Sequence, residues 1–100
     1  MIRHIVMWNL KENAEGGTKA ENALKIKQGL EGLVGKIDGL LKAEVGVNII
    51  PGGMDLCLYS EFTSREALVN YREHPLHKNV QQFVHKVIES RSASDSEWPD

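Results

Sequence analysis

The chain has 100 residues, 41% hydrophobic and 26% charged, with a net charge of −2 and a single cysteine, Cys57. These values describe one domain, residues 1–100, and exclude both the basic footprint of a nucleic-acid binder and an anionic-membrane surface as partner. No apolar run approaches the roughly 20 residues that span a bilayer, and one cysteine excludes an intrachain disulfide or a cysteine-based metal site.

Met1-Ile2-Arg3-His4 lacks the basic-then-apolar pattern of a signal peptide, so a cytoplasmic location is expected. Ile2 to Leu10 reads as a strand. Ile2, His4, Val6, Trp8 and Leu10 share one face, and Arg3, Ile5, Met7 and Asn9 the other. Both faces carry large apolar groups, so both should be covered. A polar loop, Lys11 to Gly17, follows. Thr18-Lys19-Ala20-Glu21 then has capping-box spacing, with Thr18 as N-cap. Ala23, Ile26, Leu30, Leu33, Val34 and Ile37 recur at helical intervals up to a stop at Asp38-Gly39. Gly29, Gly32 and Gly35 each cost that helix about 1 kcal/mol relative to Ala. Tertiary packing must therefore hold it, and the small residues suit a close approach to the sheet.

Leu41 to Ile50 predicts a second strand, with Leu41, Ala43, Val45, Val47 and Ile49 on one face. A turn at Pro51-Gly52-Gly53 leads into a hairpin-paired third strand, Asp55 to Phe62. There Leu56, Leu58, Ser60 and Phe62 oppose Cys57, Tyr59 and Glu61, and Cys57 and Tyr59 are expected on the helix side. Thr63-Ser64-Arg65-Glu66 starts another helix, whose inward stripe holds Ala67, Leu68 and Tyr71. Pro75 breaks it at His74 and suits the first turn of a new helix. Leu76, Val80, Phe83, Val84 and Val87 form the apolar face of that helix. Glu89 to Trp98 reads as an exposed edge strand and a loose tail, with Asp95, Glu97 and Asp100 solvated.

The order is strand, helix, strand, strand, broken helix, strand. This is an α+β, ferredoxin-like split βαβ arrangement, β-α-β-β-α-β, whose helices cover one sheet face. The remaining apolar face, to which His4, Val6, Trp8, Leu56 and Leu58 are assigned, would be a large exposed patch on a monomer. A homodimer packed sheet against sheet as an α+β barrel is the economical solution.

The chemistry concentrates in Tyr71-Arg72-Glu73-His74-Pro75-Leu76-His77. His77 borders the apolar face of its helix, where a partly desolvated imidazole stays neutral and can accept a proton from a carbon flanked by carbonyls. Tyr71 can donate to the developing enolate. Alternatively, both hydrogen-bond backbone around the helix break. His74 reads as the cap before Pro75. His4 is either a satisfied core histidine or part of a site. Val6, Trp8 and Leu58 either line a ligand pocket or fill a dimer core. A three-histidine metal site of His4, His74 and His77 is disfavoured by the intervening Pro75 and the absence of a suitably spaced carboxylate. No metal or cofactor is expected.

Ile2-Arg3-His4-Ile5-Val6-Met7-Trp8 together with Tyr-x-x-His-Pro-x-His at 71–77 resembles the stress-responsive A/B barrel (Dabb) family. The resemblance covers nearly the whole chain and implies a dimeric α+β barrel, with a cavity beside the dimer interface. The family includes a plant polyketide cyclase. By resemblance to it, His77 is the base, Tyr71 activates or orients, and His4 lines the pocket. A further pocket histidine of that enzyme, on the third strand, corresponds to Leu56 here. The resemblance thus implies a small apolar or carbonyl-rich ligand and a lyase- or isomerase-like activity. The alternative is a non-catalytic stress-response protein with a filled barrel.

Overall fold

The computed structural model describes residues 1–99. In chain order the elements are β1 (Ile2–Leu10), a small hairpin of β2 (Asn13–Ala14) and β3 (Gly17–Thr18), α1 (Lys19–Glu31), β4 (Leu40–Val47), β5 (Leu56–Phe62), α2 (Arg65–Glu73), α3 (Pro75–Val87) and β6 (Ile88–Glu97). The four long strands form one antiparallel sheet ordered β4-β5-β1-β6, the expected ferredoxin-like topology. β6 pairs with β1 of its own chain.

The alternation along β1 and β5 buries Ile2, His4, Val6, Trp8 and Leu10, and Leu56, Leu58, Ser60 and Phe62. Tyr71 of α2 meets Phe62 with ring centroids 4.9 Å apart, so this row is the face covered by helices. The sequence-based assignment of faces is therefore reversed. His4, Val6, Trp8, Leu56 and Leu58 lie under the helices. The bare face carries Ile5 and Met7 opposite Tyr59 and Cys57, with Ser94 and Ser92 on their other side. A period of two tells which residues share a face, not which face the helices take, and here both faces are apolar enough to qualify.

The capping box at Thr18 forms as expected: Thr18 Oγ accepts from the Glu21 amide and Glu21 answers to the Thr18 amide. The loop before it is not featureless, since the β2–β3 hairpin is tied to buried Asn22, which donates to the Ala14 and Gly17 carbonyls. α1 stops at Glu31 rather than Asp38. Gly32 caps it and Gly35 takes a left-handed conformation, φ +87°, while Leu33 and Ile37 are still buried from the turns beyond. The close approach permitted by Gly29 is to α3, not to the sheet: a Cβ there would lie 3.0 Å from Val80. β4 also differs from expectation. Leu40 pairs with Phe62 but Lys42 with Glu61, so Leu41 is the extra residue of a bulge and is exposed. Leu40, Ala43 and Val45 point inward instead, and Ile49 lies outside the strand, 94% exposed. On α3, Val84 and Val87 are buried but Leu76 is exposed.

Candidate functional site

Ser64 caps α2 by accepting from the Ala67 amide at 3.1 Å, and the helix carries Tyr71 to the sheet, where it is buried. His74 ends α2 and begins α3, its Nδ1 accepting from the Leu76 amide at 3.1 Å, with Pro75 as the first residue of α3. This break turns α3 so that the His77 ring lies over the Tyr71 ring, with centroids 4.1 Å apart and planes tilted 35°. His4 approaches from β1, its ring 6.3 Å from that of Tyr71.

These side chains border one cavity of about 170 Å³ between sheet and helices. Its walls bring together all six residues singled out from the sequence, His4, Val6, Trp8, Leu58, Tyr71 and His77. Leu30 and Val84 complete the apolar wall, and Arg72, Gln81, His85 and Arg91 the polar one. The cavity lies on the helix side of the sheet, opposite the bare apolar face. It is thus separated by the sheet from any sheet-to-sheet interface rather than beside it. Leu56 is buried opposite Trp8 and is not part of this wall. A second cavity, about 360 Å³ around Leu10, Lys19 and Asp55, contains no imidazole. There Asp55 accepts from the Leu10 amide at 2.8 Å and pairs with Lys19 at 3.2 Å, so its charge is already engaged.

The largest departure from the sequence reading is Asp95. Along β6 the inward row is Arg91, Ala93 and Asp95, opposite Trp8, Val6 and His4, and the serines Ser92, Ser94 and Ser96 take the outer row. Asp95 is exposed, as expected, but it lies within β6 and is not a free tail residue. One of its oxygens is hydrogen-bonded to His4 Nδ1 and the other to Arg72 Nη2. Glu97 pairs with Arg65 at 2.9 Å, and Asp100 lies outside the described residues. The carboxylate fixes the tautomer of His4: Nδ1 carries the proton, and in the neutral ring Nε2 holds the lone pair. Among the described residues neither His4 Nε2 nor the Tyr71 hydroxyl has a hydrogen-bond partner. The signal for Asp95 was present in the alternation Arg91-x-Ala93-x-Asp95, but only the register with β1 shows that Asp95 meets His4.

Burial raises the pKa of Tyr71 well above the ordinary phenol value, so it remains a donor. Burial is also the main cause lowering the pKa of His77. The Arg72 carbonyl opposes this, and the charges of His4, Arg72 and His74 add to it. His77 is therefore a neutral imidazole at pH 7, and its Nδ1 is buried without a partner among the described residues. Among the described residues no group of three or more His, Cys, Asp or Glu is placed to hold a metal, and His74 is occupied with its cap. Cys57 sits on the bare face, half-buried.

A four-stranded antiparallel sheet with helices on one face and a polar-rimmed cavity beneath them defines a ferredoxin-like protein of the α+β barrel type. The chain belongs to the stress-responsive A/B barrel domain family (Dabb), which it matches over residues 2–98. It is similar to a dimeric protein of unknown function and ferredoxin-like fold from Bacteroides fragilis, at 32% identity and a TM-score of 0.86, covering 97% of this chain and 95% of that one. It shares its fold with a dimeric ferredoxin-like protein of unknown function from Thermobifida fusca, at 18% identity and a TM-score of 0.82, covering 97% and 90%. A Dabb family protein with a ferredoxin-like fold from Mesorhizobium loti is 23% identical, with a TM-score of 0.75 and coverage of 99% and 97%. Comparison with the curated proteins gives no match. Among the described residues no helix is long and apolar enough to cross a membrane.

Proposed function

We propose that the cavity holds a small ligand with an apolar body and a carbonyl group, and that His77 and Tyr71 move a proton on it. The observation that carries this reading is convergence. Two imidazoles and a phenol from β1, α2 and α3 meet at one cavity, with the phenol hydroxyl and His4 Nε2 unpartnered among the described residues. In this reading neutral His77 takes a proton from the carbon beside the carbonyl. The electron pair passes to the carbonyl oxygen, which accepts a hydrogen bond from the Tyr71 hydroxyl. His4, fixed by Asp95, accepts a hydrogen bond from an enol or hydroxyl of the ligand through Nε2. Val6, Trp8 and Leu58 enclose the apolar part. The reaction class is that of isomerases, lyases and cyclases that proceed through an enolate.

Size narrows the ligand. A cavity of about 170 Å³ is below the ~300 Å³ at which drug-sized pockets begin, which suits a single ring rather than a long polyketide chain. The same small volume favours a second reading, in which the protein is a non-catalytic dimer and the cavity is a packing remnant around Trp8 and Tyr71. A thermal-shift screen of β-keto and aromatic ligands separates the two. Stabilisation of the wild type that is lost in His77→Ala supports the site. An absence of any stabilising ligand favours the second reading.

The assembly we propose is a homodimer packed bare face to bare face. Ile5, Met7, Cys57 and Tyr59 form its apolar centre, and Arg3, Lys42, Glu44 and Glu61 supply charges of both signs around it. The description of the Bacteroides fragilis protein as dimeric supports a dimer, and the apolar bare face supports this arrangement of it.

A further inference from the structure

The chain as a whole is acidic, with 14 Asp and Glu against 12 Lys and Arg, yet the cavity that His4, Tyr71 and His77 border has the opposite bias. Arg72, Arg91 and three histidines border it, and among the described residues no Asp or Glu does. Asp95, which bonds to two residues of that wall, is already engaged by them, His4 and Arg72. Arg91 is different from Arg72: among the described residues it has no hydrogen bond or ion pair. Gln81 on the same wall is also unpartnered among the described residues. On the inner row of an edge strand, opposite Trp8 and bordering the cavity, this guanidinium is a two-pronged donor for a carboxylate.

We propose that the ligand is an anion, a small carboxylate with an apolar body, and that Arg91 anchors its carboxylate. The inference rests on the reading of the cavity as a ligand site and adds the charge of what enters it. The geometry sets the ligand's direction. Arg91 pairs with Trp8 and Asp95 with His4, so the two rows are four residues apart on β1, about 13 Å at the usual rise of a strand. Between them lie Val6 and Leu58. A carboxylate at Arg91 sends its apolar body along Val6 and Leu58 toward the end where Tyr71, His77 and His4 gather.

The test is an NMR titration, followed at the methyl groups of Val6 and Val84 and the side-chain amide of Gln81. It uses 3-phenylpropanoate and its uncharged near-isostere 3-phenylpropanamide. The wild type should bind the acid at least tenfold more tightly than the amide at low salt, and this preference should shrink as salt screens the pair. Arg91→Gln should abolish the preference by weakening the acid far more than the amide, and Arg91→Lys should keep part of it. Arg91 is exposed, so these variants should fold. Equal binding of acid and amide by the wild type would overturn the anion inference but leave the ligand site intact. A preference that survives in Arg91→Gln would overturn Arg91 as the anchor. If neither probe shifts the cavity signals, the ligand-site reading fails and this inference falls with it.

Discussion

Asp95 links three elements far apart in sequence: its own strand β6, His4 on β1 and Arg72 on α2. Replacing it with Asn keeps the shape but removes the charge that holds both partners. Asp95→Asn should lower stability by about 1–3 kcal/mol in urea unfolding, the range for a lost charge-assisted hydrogen bond. It should also release the His4 tautomer, which long-range ¹⁵N correlation of the ring would show as a loss of the single Nδ1-protonated form. His77 supplies a separate pH signature. Its folded pKa is depressed, so below the unfolded value of about 6.5 the unfolded chain takes up a proton that the folded chain resists. Stability is then undiminished above about pH 6.5 and falls as pH drops through the window below it, levelling once the folded ring also protonates. His77→Gln should flatten that slope. It should leave the acid limb below about pH 4.5, where Glu31 and Asp55 with their lowered pKa values lose their contribution. A slope unchanged in the variant would remove His77 as its source.

At the scale of elements, short-range chemistry was the most legible part. The Thr18 capping box and the break at His74-Pro75 are local: each needs only groups two or three residues apart, and both form as read. The end of α1 was not legible, because Leu33 and Ile37 keep helical spacing and are buried, yet they are buried from turns. The glycines at 32 and 35 outweigh that periodicity once the chain can bury the same side chains without a helix. Gly39 shows how strictly those turns are built. Its φ is +84°, and a Cβ there would lie 2.5 Å from the Ala67 Cβ of α2. Gly39→Ala therefore combines left-handed strain with a clash, and should cost about 2 kcal/mol or more in denaturant unfolding. A loss under about 0.5 kcal/mol would mean that α2 can move aside freely.

At the scale of the molecule, the proposed dimer and the cavity lie on opposite faces of the sheet, so they should be separable by mutation. Met7 is exposed at the centre of the bare apolar face. Sedimentation of the wild type at micromolar concentration should give twice the 11.2 kDa chain mass. Met7→Lys, which places like charges across the two-fold axis, should shift it to monomer. Arg91→Gln, on the cavity side, should leave the dimer unchanged. Monomeric wild-type protein would leave the bare face without its proposed occupant.

By itself the sequence determined the order of the long elements, the residues that share a face on β1 and β5, the helix N-caps and the break that brings His77 onto Tyr71. All of these follow from periodicity and from contacts between near neighbours. Only the tertiary structure decided which sheet face the helices cover, because both faces carry comparable apolar area and their choice depends on the path of the whole chain. It also decided that Arg91 belongs to the site wall and that Asp95 holds two wall residues, His4 and Arg72, from behind it. That depends on the register of β6 against β1, a pairing across about 90 residues that no local pattern encodes.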